Sequence, residues 1–85
     1  MEILSIRTLV EKYTIAQLQQ AEYAIIEEKP VNIKVEGRDQ AERLSNVIAA
    51  CWILEEMKFR NLEFNEALSS YNKKVRDRTG TAYSF

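Results

Sequence analysis

Eight consecutive apolar residues, Val47 to Leu54, occupy the middle of the longest helical stretch in this sequence. A helix with no polar face has to be covered on more than one side, so the rest of the chain must wrap around this one. The run is far shorter than the roughly 20 residues that cross a bilayer, so it marks a core and not a membrane span. The helix is expected to start at the Asp39-Gln40-Ala41-Glu42 capping arrangement, run to about Arg60 and end on a left-handed cap at Asn61.

Three further helices are available to cover it. Ile3, Ile6, Leu9, Val10 and Tyr13 recur at helical spacing, which gives a first helix over roughly residues 4 to 13. Thr14-Ile15-Ala16-Gln17 has the form of a capping box, with Tyr13 and Leu18 at the hydrophobic-staple positions, and opens a second helix. That helix is expected to reach about Lys29, because Pro30 has no N–H with which to continue it. Phe64, Ala67, Leu68, Tyr71 and Val75 form the narrow apolar stripe of a fourth helix. Gly80 is expected to end the ordered chain, leaving 81–85 as a flexible tail.

Between the second and third helices, Val31-Asn32-Ile33-Lys34-Val35-Glu36 alternates strictly between apolar and polar. That is the period of a half-buried strand, which Gly37 would break. The expected fold is therefore mainly α: a compact four-helix domain, residues 1–80, with one short strand at residues 31–36. A lone strand needs a partner for its ladder groups, either elsewhere in the chain or in a second copy.

Composition narrows the function. At 85 residues the chain makes one domain with a thin hydrophobic margin. Its 12 basic and 13 acidic residues leave a net charge of −1, which gives no overall attraction for nucleic-acid phosphates. A single cysteine permits no internal disulfide, and Glu2 precedes the first apolar residues without a signal-peptide cleavage site, so a cytoplasmic location is expected. The absence of histidine removes the usual acid–base catalyst and the commonest metal ligand. With one cysteine and two glycines there are no zinc-binding cysteine pairs and no phosphate-binding glycine loop. The reading leans against an enzyme and implies no cofactor.

The segments LVEKYTIAQLQQAE, IKVEG, AACWILEEMK and FNEALSSYNKKVR resemble a family of short uncharacterised bacterial proteins of the Bacteroidetes type. The resemblance covers most of residues 1 to 78. It implies a compact standalone domain and brings no assigned activity, cofactor or catalytic residue.

Several residues remain candidates for function. On a helical wheel Glu22 projects between Ile15, Leu18, Ile25 and Ile26, and Glu55 between Leu44, Ile48, Cys51 and Trp52. Carboxylates at the edge of a core serve acid–base chemistry or hold hard cations, although pairing with Lys34, Arg43, Lys58 or Tyr71 is the plainer expectation. Cys51 reads as a packed, inert thiol, and Trp52 as a core residue or a binding anchor. Lys73, Lys74, Arg76 and Arg78 could touch phosphates, but cations at a helix end also complement its dipole, and no aromatics are interleaved for base stacking.

The favoured expectation is a protein-interaction or homo-oligomeric module. Ala49, Ala50, Ile53 and Met57 mark the face of the third helix expected to meet a second copy, with Ile33 and Val35 pairing across the same two-fold. A carboxylate-based metal protein or enzyme built on Glu22 and Glu55, and a weak nucleic-acid binder using the basic end of the fourth helix, are the alternatives.

Overall fold

A computed structural model describes residues 3–82, with side chains through Val75. Four helices follow in order: α1 (Ile3–Lys12), α2 (Ile15–Ile26), α3 (Gln40–Phe59) and α4 (Phe64–Ala82). Their boundaries are set by local chemistry. The capping box at α2 forms in full: Thr14 Oγ1 accepts from the Gln17 N–H at 3.2 Å, and Gln17 Oε1 accepts from the Thr14 N–H at 2.9 Å. Asp39 Oδ1 accepts from the Glu42 N–H at 2.8 Å to open α3. At α4 the Glu66 carboxylate reaches back to the Glu63 N–H at 3.1 Å.

Both α2 and α3 end in a left-handed residue. Asn61, at φ 55°, lets the Leu62 N–H reach back to the Met57 carbonyl, and Glu28, at φ 56°, lets the Lys29 N–H reach the Ala24 carbonyl. The second stop falls earlier than Pro30 alone would require. α4, in contrast, runs through Gly80 to Ala82, so glycine there does not end the helix. Of the tail expected at 81–85, residues 83–85 lie outside the described residues.

α3 is the centre of the fold and packs against α1, α2 and α4. Its Val47, Ala49, Ala50, Cys51, Ile53 and Leu54 join Ile6, Leu9, Leu18, Ala21, Ile25 and Ala67 in one buried core. At about 100° per residue the buried positions of α3 span roughly 200° of arc. The molecule measures 39 × 31 × 19 Å. Outside that buried arc α3 keeps Ile48 and Phe59 exposed.

No strand forms among the described residues, which corrects the expectation for residues 31–36. The alternation is nonetheless used: Val31, Ile33 and Val35 are half-buried against the core, while Asn32, Lys34 and Glu36 face outward. The segment runs along the helices, where no strand is on hand to pair with it. Side chains take over part of the ladder's work. Asn46 Nδ2 donates to the Glu36 carbonyl at 3.0 Å, and the Lys34 N–H donates to the Tyr13 hydroxyl at 3.4 Å.

The open face of α3 as a candidate functional site

The least covered side of α3 is a stripe at helical spacing, with Ile48 and Phe59 exposed and Trp52 and Glu55 half-buried between them. Ile48 is 39% exposed and Phe59 79%. α2 and α4 border the stripe, and each edge carries its own chemistry.

On the α2 edge, Cys51 is buried and donates its thiol proton to Glu55 Oε1 at 3.4 Å. Burial, then the hydrogen bond and negative charge of Glu55, and then the charge of Glu22 push the thiol from its ordinary 9.0 up to about 12. The thiolate is the reactive form of cysteine, so this group is chemically quiet at neutral pH. Glu22 and Glu55 are both half-buried, and both act on Cys51. Among the described residues, however, no three histidine, cysteine, aspartate or glutamate side chains gather as a metal ion requires.

On the α4 edge, the Trp52 ring packs against Tyr71 with centroids 5.3 Å apart and planes tilted by 54°. Lys74 Nζ lies over the Trp52 ring, 5.3 Å from its centroid. Burial also pushes the Tyr71 hydroxyl above its ordinary pKa of 10.0. Lys73 and Lys74 are exposed, while the side chains of Arg76 and Arg78 lie outside the described residues.

The residues expected to meet a second copy fall elsewhere. Ala49, Ala50 and Ile53 are wholly buried inside the single chain, and Met57, Ile33 and Val35 are half-buried against the same core. The most apolar arc of α3 is the one its own partner helices cover. Asn46 was not singled out from the sequence, yet it is wholly buried and clamps the 31–36 segment onto α3. A polar residue just ahead of the Val47 to Leu54 run was the available signal.

Residues 1–78 match the model of the Family of unknown function (DUF6952), and the chain belongs to that family. No curated protein and no solved structure matches the chain. No described helix is long and apolar enough to cross a membrane.

Proposed function

We propose that this protein is a small interaction module that self-associates through the open face of α3. The observation that carries the reading is the exposure of Ile48 and Phe59 in line with Trp52 on the central helix of the fold. Large apolar side chains aligned on one helix face mark a surface for another protein.

The edges of the stripe favour a second copy as the occupant. Glu22 and Glu55 make the α2 edge acidic, whereas Lys74, over the Trp52 ring, makes the α4 edge basic. A two-fold axis running along α3 lays the α2 edge of one copy over the α4 edge of the other. Because Lys74 stands over Trp52, one turn from Glu55, the opposite charges meet at the same height along the helix. A stable interface buries about 800 Å² per partner, so contact would extend from the stripe onto α2 and α4.

Light scattering over a dilution series tests the reading, with a mass near twice 9.9 kDa as the expected result. Phe59→Asp and Ile48→Asp should return the mass to that of one chain while leaving helical circular dichroism unchanged. A wild-type chain that stays monomeric at every concentration would defeat the proposal.

A further inference from the structure

The loop that follows α2 and the start of α3 border an open groove of about 420 Å³. Pro30, Val31 and Ile33 supply apolar walls, and Lys29, Lys34 and Arg43 supply charge. No carboxylate lines it. In a chain of net charge −1, a concavity bordered by three cationic residues and by no acid is a local reversal of the whole.

Of the nearby acids, Glu36, Asp39 and Glu42 are engaged elsewhere, and Glu27 and Glu28, which precede Lys29, do not line the groove. The Glu36 carboxylate accepts from Ser5 Oγ at 3.4 Å, in the neighbouring groove beside α1 that Lys34 also borders. Asp39 caps α3, and Glu42 pairs with Arg38 at 3.3 Å. Among the described residues Lys29, Lys34 and Arg43 form no ion pair; Lys29 Nζ instead lies 5.2 Å from the centroid of the Tyr23 ring.

Arg43 adds an independent sign. Its Nε–H is shielded from solvent and has no hydrogen-bond partner, a cost that a folded chain normally avoids. Its position is set by Gly37, where a Cβ would come within 2.6 Å of Arg43 Cγ and 2.8 Å of the Arg43 backbone nitrogen. A guanidinium held this closely, with a donor unspent, beside a groove that Lys29 and Lys34 also border, suits the oxygens of a dianion once the side chain turns toward it.

We infer that the groove of Lys29, Lys34 and Arg43 binds the phosphate group of a small phosphomonoester, with its organic part against Pro30, Val31 and Ile33. At neutral pH such a group carries nearly two negative charges and three acceptor oxygens, which matches three cations better than a carboxylate does. The site is separate from the open face of α3 and does not depend on self-association.

Phenyl phosphate titrated into the intact chain at constant ionic strength, followed by amide and arginine Nε–H resonances, tests the inference. Saturable shifts are expected at Arg43 Nε–H and at the backbone amides of 31–35. Lys34→Gln and Lys29→Gln should each weaken binding about two- to fivefold, in keeping with single exposed charge contacts. Arg43→Lys, which retains charge but loses the planar donor, should weaken it further. Phe59→Asp, made on the other face, should bind as the wild type does. Shifts that fail to saturate, that ignore Lys34→Gln, or that benzoate reproduces at equal concentration would overturn the assignment.

Discussion

The Cys51 thiol donates to Glu55 Oε1 at 3.4 Å, one helical turn away and with Glu22 near enough to add its charge. The proton is therefore held well past the point at which a free cysteine would lose it. Below pH 9 the thiol is protonated in both the folded and the unfolded chain and adds no pH dependence. Above pH 9 the unfolded thiol ionises while the folded one keeps its proton, until it too ionises near 12. The unfolded state then binds fewer protons, so stability falls as pH rises across this window, by up to about 1.4 kcal/mol per pH unit. Denaturation of wild type and Cys51→Ala at pH 8, 9.5 and 10.5 checks this, with the steeper decline expected in the wild type. Alkylation of the native thiol at pH 8 should likewise be far slower than that of the unfolded chain.

The two faces of α3 predict opposite responses to charge. Ala49→Asp places a carboxylate where 0% of the residue is exposed, and an unpaired charge there should cost several kcal/mol, about enough to unfold a domain of this size. Phe59→Asp, at 79% exposure, should change the stability of the single chain by no more than about 0.5 kcal/mol. Thermal melts of the two variants side by side separate the core face from the open face.

This contrast also shows how far the sequence could be read. α3 was legible as the central helix because a run without a polar face has to be surrounded, and the capping box at Thr14 was legible because its two hydrogen bonds need only local chain. Which side of α3 would stay open was not. Ala49, Ala50, Ile53 and Met57 were expected to face a second copy, but the most apolar arc is where α1, α2 and α4 gain most by packing. Periodicity identifies a buried face without saying what buries it. The same limit explains residues 31–36, whose alternation correctly divided inward from outward side chains and yet could not distinguish a strand from an extended segment held by Asn46 and Tyr13. Glu22 and Glu55 were placed near the core edge by their wheel positions, whereas the groove at Arg43 depends on a close approach to Gly37 that no spacing reveals.

The Asn46 clamp predicts a local effect as well as a global one. Asn46→Leu removes the donor to the Glu36 carbonyl and puts a branched apolar group among fully buried neighbours, so a loss of about 1 to 3 kcal/mol is expected. Hydrogen exchange should accelerate first at the amides of 31–36, before the centre of α3 is affected. Uniform acceleration over both regions would mean that the segment is not held separately by Asn46.

Glu28 offers a stabilising substitution. It occupies φ 56°, a conformation that costs a residue with a Cβ about 1 kcal/mol and costs glycine almost nothing. The residue must adopt it, because the hydrogen bond from the Lys29 N–H to the Ala24 carbonyl at 2.8 Å closes the end of α2 only with a left-handed step between them. Glycine relieves the strain but adds freedom to the unfolded chain, which offsets part of the gain. Glu28 is exposed and takes part in no ion pair among the described residues, so little else is lost. Glu28→Gly should therefore raise stability by about 0.5 kcal/mol, while Glu28→Val, β-branched at the same φ, should lower it by about 1 kcal/mol or more. Urea midpoints for the three chains, measured with the slope held in common, check the order Gly above Glu above Val.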